Sequence, residues 1–380
     1  MKLRFFAWST LGVAVLSLAG FGVWIALLPA APLAAASTPI LPDEAAATLA
    51  ALKPIKRERP VIAIIGINHA TELTDYLMPA GILKRADIGD IVAVATAPGP
   101  VKLYPALTVV PDATVATFDA RYPDGADYVI VPAMEPENDP VALEWIRAQA
   151  AKGAMVIGVC VGARTVSAAG LLDGKRATTH WYYLKGLIER HPTVQYVPNR
   201  RLVVDGRVAT TTGITASMPT MLTLIEAVAG RSKAEAVARD LGVTGWDARH
   251  GSDAFRFNRP FAVTVLGNTL SFWNREEFGM RLKPGMDEVS LALAADAWSR
   301  TYRSRVLTFA GSAGAVATRH GLRIVPDQVG TAWQADRLLQ VVDDQPPAQA
   351  LDSALQQIAA RYGARTADVV AMQLEYPKRQ

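Results

Sequence analysis

The sequence predicts an α/β fold with a parallel sheet, followed by a second, smaller α/β domain. Short apolar runs of strand length alternate with runs of helical periodicity over residues 60–172, a pattern typical of βαβ units with right-handed crossovers. The only cysteine, Cys160, ends one of these apolar runs and stands between Gly158 and Gly162. Two flanking glycines permit the sharp strand-to-helix turn of a nucleophile elbow.

The predicted elements follow the chain in order. We expect strands at 61–67, 90–95, 107–110, 127–131 and 154–159, and helices at 73–85, 141–151, 164–172 and 218–229. In parallel sheets, reactive side chains collect at the carboxyl ends of the strands. Asp75 follows the first strand and Cys160 follows a later one, so both are expected at that edge.

The helix after Cys160 would point its N-terminus at the sulfur. Its partial positive charge favours the thiolate, which is the form that attacks electrophiles. The alternative is a buried structural cysteine that behaves as a small hydrophobe. Spacing alone leaves both interpretations open.

The N-terminus differs in composition from the rest of the chain. No charged residue occurs between Phe5 and Ala36, and residues 5–28 are long enough to cross a bilayer. Lys2 and Arg4 precede this segment, so we expect a single-pass membrane protein with a cytoplasmic N-terminus and an exported, periplasmic or extracellular body. Residues 1–36 are predicted to be this anchor or, alternatively, a signal cleaved before Ser37. Residues 37–59 would form a linker.

Charge and composition exclude some classes of function. The formal net charge of +4 is spread along the 380 residues, which gives no nucleic-acid footprint, and we expect no nucleic-acid partner. The sequence contains no zinc-ligand spacing, phosphate-binding loop or dinucleotide fingerprint, so no metal and no cofactor are predicted. A lone cysteine cannot form an internal disulfide.

Several motifs carry a family resemblance. The elbow, the GLLDG turn at 170–174 and the ATTHW segment at 177–181 together resemble the ThiJ/PfpI (DJ-one/PfpI) family of the class I glutamine-amidotransferase-like superfamily. The resemblance spans about residues 60–257. It is nearest to the amidotransferase-like domain of AraC-type regulators and to isonitrile hydratases. It implies a flavodoxin-like parallel sheet sandwiched by helices.

The resemblance also implies a set of site residues. Cys160 would be the thiolate nucleophile, Asp75 the acid that shares a proton with the sulfur, and His180 a possible general base. Met134 and Trp181 fall at oxyanion-hole or binding positions of the family. Imidazole has a suitable unperturbed pKa for proton exchange near neutral pH, although a structural role for His180 is the alternative.

Two positions depart from the family pattern. Val161 stands where isonitrile hydratases carry a threonine. Like Met134 and Trp181, Val161 is a predicted oxyanion-hole or binding residue. The oxyanion loop of the family usually reads Pro-Gly-Gly, whereas residues 132–134 read Pro-Ala-Met. A methionine tolerates a positive φ poorly, which favours an altered or closed oxyanion hole.

The C-terminal third, residues 258–380, is predicted to be a truncated second copy of the α/β unit. We expect strands at 261–265, 270–273 and 305–309 and helices at 289–300 and 350–362. Residues 321–327 echo residues 107–112 in sequence. In this alignment, Val370 takes the place of Cys160, so this copy could not perform thiol chemistry.

Three functions remain open from the sequence. The first is a membrane-anchored, cysteine-dependent hydrolase, amidase or hydratase that acts on a small molecule. The second is a non-catalytic ligand-binding or sensor module that lacks the DNA-binding tail of the regulators. The third is a redox or stress-response protein in which Cys160 is oxidised. The resemblance also allows a homodimer.

Overall fold

The structure, a computed structural model, describes residues 17, 19–30, 37–330, 332–340 and 345–377. Residues 5–16 and 18 of the predicted membrane segment lie outside these ranges, and so does the alanine-rich stretch 31–36. Residues 19–27 are helical. Within the described ranges, no helix combines the length and the apolar character needed to cross a bilayer.

Eighteen strands are present in the described ranges. In chain order they are β1 (Val61–Gly66), β2 (His69–Glu72), β3 (Asp90–Ala95), β4 (Val101–Tyr104), β5 (Thr108–Val110), β6 (Ala113–Thr114), β7 (Tyr128–Val131), β8 (Met155–Gly158), β9 (Arg176–Ala177), β10 (Gln195–Tyr196), β11 (Leu202–Asp205), β12 (Val208–Thr211), β13 (Glu276–Arg281), β14 (Ser304–Ala310), β15 (Val316–Ala317), β16 (Arg323–Val325), β17 (Gln328–Val329) and β18 (Leu338–Leu339).

The α-helices from residue 37 onward are numbered in the same way. They are α1 (Pro42–Ala51), α2 (Leu73–Ala86), α3 (Val115–Arg121), α4 (Pro140–Ala151), α5 (Gly162–Ala168), α6 (Leu184–Arg190), α7 (Ser217–Ala229), α8 (Arg231–Leu241), α9 (Arg259–Leu270), α10 (Glu288–Ser299), α11 (Gln349–Tyr362) and α12 (Ala364–Gln373).

The main sheet has seven strands in the order β11-β12-β8-β7-β1-β3-β6. All neighbouring strands are parallel except β11 and β12. Every residue of β1, β7 and β8 is buried, as expected for central strands of a parallel sheet with both faces covered. The prediction of an α/β fold with a parallel sheet is therefore confirmed.

Helices cover both faces of the main sheet. Successive residues of β1 alternate between two apolar layers: Ile62 and Ile64 enter the layer that contains α2, α7 and α8, while Ala63 and Ile65 enter the layer that contains α3, α4 and α5. This alternation follows from the two-residue period of a strand. It produces the three-layer sandwich that surrounds the elbow.

The C-terminal third forms a second sheet of four parallel strands in the order β17-β14-β13-β18. Helix α10 connects β13 to β14, as α2 connects β1 to β3. A further five-stranded sheet joins the two parts of the chain, because β16 pairs with β5 from the first part. The two parts therefore share hydrogen-bonded strands as well as packed helices.

Three predictions for the C-terminal third are wrong. Residues 261–265 and 270 belong to helix α9, and residues 272–274 form a 3-10 turn. The Asn258 side chain caps this helix by accepting a hydrogen bond from Phe261 N, and Pro260 occupies its first turn. Val370 lies within α12, so it has no strand-end position equivalent to that of Cys160.

Candidate functional site

Cys160 occupies the turn between β8 and α5, and its backbone adopts a left-handed conformation with φ 55°. This conformation is uncommon for a residue with a side chain and indicates a position that the surrounding fold enforces. A Cβ on Gly162 would overlap the Val131 carbonyl oxygen, and a Cβ on Gly158 would approach Ala163 to 3.0 Å. Gly162 is therefore required by a close backbone contact, and Gly158 leaves little room for a side chain.

Two threonines hold the Cys160 backbone in this turn. Cys160 N donates to Thr211 Oγ1 at 3.1 Å, and Thr179 Oγ1 donates to Cys160 O at 2.9 Å. Thr211 Oγ1 in turn donates to the Thr212 carbonyl. No role was predicted for either threonine from the sequence, although the threonine runs at 178–179 and 210–212 were a visible signal.

Asp75 lies in the first turn of α2 and is completely buried. Its Oδ2 accepts a hydrogen bond from Ala133 N at 3.1 Å, whereas Oδ1 has no hydrogen-bond partner in the described part of the chain. Burial, and then the neighbouring Glu72 carboxylate, raise the pKa of Asp75 well above its usual value. An aspartic acid of this kind can hold a proton near neutral pH and exchange it with a neighbour.

Cys160 as a residue is 3% exposed. Burial raises the pKa of Cys160 well above its usual value, and Asp75, Glu72 and Glu375 raise it further, while the Val161 N–H lowers it. The resting group is therefore the thiol, and the expected thiolate is not favoured. Burial and three carboxyl groups outweigh the N-terminus of α5, a helix of only seven residues. Asp75 is the largest electrostatic influence on the sulfur.

His180 does not face the sulfur as a base. Its Nε2 lies 2.9 Å from the Gln373 carbonyl oxygen, and its Nδ1 accepts from Tyr182 N at 3.2 Å. These contacts assign the ring proton to Nε2, and burial lowers the pKa of His180. Because both ring nitrogens are occupied by backbone groups, His180 is a structural residue in this arrangement.

Trp181 anchors the C-terminal helix to the first part of the chain. Its indole N–H donates to the Met372 carbonyl at 2.8 Å, and its backbone N donates to Glu375 Oε1 at 2.6 Å. Its ring packs edge-on against Phe261 at a centroid distance of 5.7 Å. The contacts of Trp181 are therefore structural, although they lie close to the site.

The loop at 132–135 approaches the site through its backbone. Glu72 N donates to Ala133 O and Glu135 N donates to Ala70 O, which places Thr71 and Met134 opposite each other in an isolated antiparallel bridge. Met134 is buried, and its φ is not positive. Met134 thus avoids the positive φ that a methionine tolerates poorly, and Ala133 N is the donor that contacts the acid.

Three charged residues of the site were not anticipated. Glu72 caps α2, and its Oε2 accepts from Asp75 N at 2.6 Å. Its Oε1 accepts from Arg300 Nη2 at 2.6 Å, and Arg300 Nε donates to Asp296 Oδ1 at 2.7 Å. Burial raises the pKa of Asp296 to about 7. No local motif could reveal this cluster, because Glu72 lies more than two hundred residues before Asp296 and Arg300 in the chain.

Glu375 is a further buried acid near the site. Its Oε2 accepts from Gly213 N at 2.7 Å and lies 3.5 Å from His250 Nε2. A Cβ on Gly213 would come within 2.7 Å of the Glu375 side chain. The C-terminal segment therefore packs directly on the loop after β12.

A cavity of about 710 Å³ opens beside Glu375. It lies where residues 244–261 meet α12, and Cys160 does not line it. Its walls combine aromatic rings with charged groups, including Arg201, Trp246, His250, Phe255, Phe261 and Glu375. This size and mixture are typical of a small-molecule pocket.

One group of side chains in the described ranges has the spacing of a metal site. Ligand atoms of Asp287, Glu288 and His320 lie within 4.8 Å of one another. His320 Nδ1 is 2.6 Å from Glu288 Oε1, and Asp287 pairs with Arg85. Since these groups satisfy one another, their arrangement does not require an ion.

Comparison with known proteins identifies the first part of the chain. Residues 61–227 match the DJ-1/PfpI family. The isonitrile hydratase of Pseudomonas putida is 42% identical over 120 residues, which cover 31% of this chain and 49% of that protein. The transcriptional regulator CdhR of Pseudomonas aeruginosa is 36% identical over 86 residues, which cover 23% of this chain and 25% of the regulator. The chain thus spans half or less of these relatives.

Solved structures give a broader likeness. DJ-1beta of Drosophila melanogaster aligns with 49% of this chain and 100% of its own, at 21% identity and a TM-score of 0.44. A ThiJ/PfpI family protein from Pseudomonas syringae aligns with 50% of this chain and 77% of its own, at 23% identity and a TM-score of 0.44.

Proposed function

Because residues 61–227 form a DJ-1/PfpI domain, we propose that the protein is a Cys160-centred enzyme of the hydrolase, amidase or hydratase type that acts on a small molecule. One observation carries the proposal: a strained elbow presents the only cysteine within electrostatic reach of a buried acid, Asp75, whose Oδ1 lacks a partner in the described residues. Backbone strain and unpaired buried acids concentrate at functional sites.

The proposed chemistry uses Cys160 as nucleophile and Asp75 as the proton carrier. Sγ attacks an electrophilic carbon that is multiply bonded to nitrogen or oxygen, and the thiol proton passes through Asp75 to the substrate. With a nitrile or isonitrile, water then attacks the carbon, the S–C bond breaks, and the proton returns to the sulfur. With an amide, the C–N bond breaks first and the amine leaves with the thiol proton, and water then hydrolyses the thioester to the acid and the free thiol. A raised pKa suits Asp75 to this exchange near neutral pH. Val161 N–H is a candidate donor to the developing negative charge.

The substrate class follows from the site and from the relatives. The relative with hydratase activity acts on isonitriles, according to its name. We propose isonitriles, nitriles and small amides as the substrates to test first. Val161 offers no hydroxyl to a substrate, so substrate binding here relies on backbone donors.

A direct assay tests this proposal. Purified protein is incubated with small isonitriles, nitriles and amides, and products are followed by nuclear magnetic resonance. Turnover that disappears in Cys160→Ser and falls at least about a hundredfold in Asp75→Asn is the expected result. His180→Gln should keep turnover if it remains folded. Turnover that survives in Cys160→Ser would overturn the proposal.

A second function, ligand sensing, is supported by the 710 Å³ cavity beside Glu375. Arg201 and Glu375 offer opposite charges, and Trp246 and Phe255 offer apolar contact. A thermal-shift screen with small charged aromatic and aliphatic compounds tests this role. A sensor predicts stabilisation that persists in Cys160→Ser and is lost in Trp246→Ala. A compound that stabilises both variants equally would bind elsewhere.

Attachment to a membrane through residues 5–28 is part of the same proposal. It is supported by the absence of charge in this segment and by apolar side chains on residues 19–27 that are exposed, including Trp24 and Leu27. Flotation of the full chain with lipid vesicles, compared with residues 37–380, tests it. Equal flotation of both proteins would contradict attachment through this segment.

A further inference from the structure

The two parallel sheets have the same strand order over four strands. The main sheet contains β7-β1-β3-β6, and the C-terminal sheet contains β18-β13-β14-β17. In each, the second strand is followed by a helix, α2 or α10, that leads to the third strand. β1 and β13 therefore occupy equivalent positions in their sheets, and α2 and α10 are equivalent helices.

The equivalent helices α2 and α10 pack against each other. The acid that caps α2 is Glu72, and Arg85 lies thirteen residues later; the acid that caps α10 is Asp287, and Arg300 lies thirteen residues later. Arg300 pairs with Glu72, and Arg85 pairs with Asp287. Each helix thus binds the other through the same two positions.

This reciprocity is the signature of a local two-fold axis. In an isologous contact, position i of one unit meets position j of the other, and j meets i. Such contacts normally join two identical subunits. Here both units belong to one chain, and all four side chains are largely buried, with side-chain exposures between 4% and 13%.

The two units differ at the chemical position. Asp75 follows Glu72 by three residues, whereas Ser290 follows Asp287 by three residues. Only the first unit contains a cysteine. The contact surface between α2 and α10 is called here the seam. Across it, Arg300 binds the cap residue that neighbours Asp75, whereas Arg85 binds a cap residue with no acid at the equivalent position.

We propose that the C-terminal unit is a built-in partner of the DJ-1/PfpI domain and that its Arg300 is a positioning residue, which acts through Glu72 on Asp75. Glu72 connects Arg300 to Asp75. Its Oε1 accepts from Arg300, and its Oε2 accepts from Asp75 N at 2.6 Å and from Thr74 Oγ1 at 2.9 Å. The inference rests on the proposed function only in assigning Asp75 to the chemistry of Cys160.

The electrostatic surroundings of Asp75 give the direction of the effect. Glu72 and Asp296 raise the pKa of Asp75, and Arg300 lowers it. Cys160 also faces the acid, as the effect of Asp75 on the pKa of the thiol shows. Removal of the Arg300 cation leaves the acids without their counter-charge, so the pKa of Asp75 must rise.

Titration of Asp75 itself provides the test. In full-length protein with side-chain carboxyl ¹³C-labelled aspartate, the Asp75 signal is the one missing from Asp75→Asn. We expect Arg300→Gln to raise the pKa of Asp75 by about one pH unit. The matched control is Arg85→Gln, which removes the other ion pair of the seam and should leave this pKa unchanged. An unchanged pKa in Arg300→Gln, or an equal shift in both variants, would overturn the inference.

A second variant applies if Arg300→Gln does not fold. Glu72→Gln removes the like charge through which Arg300 acts, and the pKa of Asp75 should fall; no change would overturn the inference. The readout does not depend on turnover. An inactive protein in which the pKa of Asp75 shifts as expected would refute only the proposed enzymatic function. An active protein in which this pKa does not change would refute only the role of Arg300.

Discussion

Arg300 donates to Glu72 across the seam between α2 and α10, with Nη2 2.6 Å from Oε1. The guanidinium also binds Asp296 at 2.7 Å, so one cation neutralises two buried acids from opposite sides of the seam. This contact joins the C-terminal unit to the acid cluster of the cysteine site. It makes the two parts of the chain interdependent in both stability and chemistry.

Removal of Arg300 should cost far more stability than removal of an exposed arginine. Arg300→Ala leaves Glu72 and Asp296 buried without a cation, and we expect a loss of roughly 3 to 5 kcal/mol in the free energy of unfolding. Arg231→Ala, at a pair with Glu226 in which the arginine is 58% exposed, should cost less than about 1 kcal/mol. Urea unfolding measures both. Equal losses would contradict the assignment of Arg300 as the buried cation that pairs with both Glu72 and Asp296.

Thr211 and Thr179, which hold the Cys160 backbone and are called here the threonine clamp, should control the reactivity of the elbow specifically. Thr211→Val keeps the shape of the side chain but leaves Cys160 N without an acceptor, which should cost about 1 to 3 kcal/mol and slow alkylation of Cys160. The control is Thr210→Val, which removes the acceptor for Thr178 N on the same strand. Its stability cost should be similar, while alkylation of Cys160 stays unchanged. Equal effects of both variants on alkylation would argue against a specific clamp.

Gly162 should not tolerate even a methyl group. Gly162→Ala places Cβ against the Val131 carbonyl oxygen, with no flexible side chain that can move away, so we expect a loss of several kcal/mol in stability or no folded protein. Gly186 in α6 has open space around its Cα, and Gly186→Ala should be neutral or stabilising by up to about 1 kcal/mol. Thermal unfolding compares the two. A stable Gly162→Ala protein would show that the elbow can open.

The stability of the protein should depend on pH through Asp75. The pKa of Asp75 is raised in the folded state. The folded protein is therefore most stable, as far as this group is concerned, below the unfolded pKa of about 3.9, and this stability is lost as the pH rises towards the folded pKa. Asp75→Asn removes this loss. The stability of the variant relative to the wild type should therefore increase by up to about 1.4 kcal/mol per pH unit between these limits. A pH-independent difference in urea unfolding would contradict a raised pKa.

The sequence predicted the parallel sheet and its elbow because both depend on local pattern. Apolar runs of strand length mark buried strands, and the backbone contacts of Gly158 and Gly162 explain the spacing around Cys160. The same reasoning failed at residues 261–270, where an apolar run belongs to a capped helix. A short apolar run alone does not distinguish strand from helix.

The charged cluster of the site was beyond local reasoning. Arg300 and Glu375 reach the domain from a different sheet and from the C-terminal segment, and no spacing rule connects them to Asp75. His180 shows the opposite problem. Its residue type and motif suggested a base, but the backbone groups that occupy its two nitrogens could be identified only from the fold.

Alkylation of Cys160 against pH tests the central claim, that Cys160 and Asp75 act as one unit. The chain has a single cysteine, so iodoacetamide reports on this thiol alone. We expect the wild-type midpoint to lie above that of a free thiol, about 8.5, and to fall in Asp75→Asn, because Asp75 raises the pKa of the thiol; His180→Gln should leave it unchanged. A midpoint equal to that of a free thiol in both wild type and Asp75→Asn would contradict the claim.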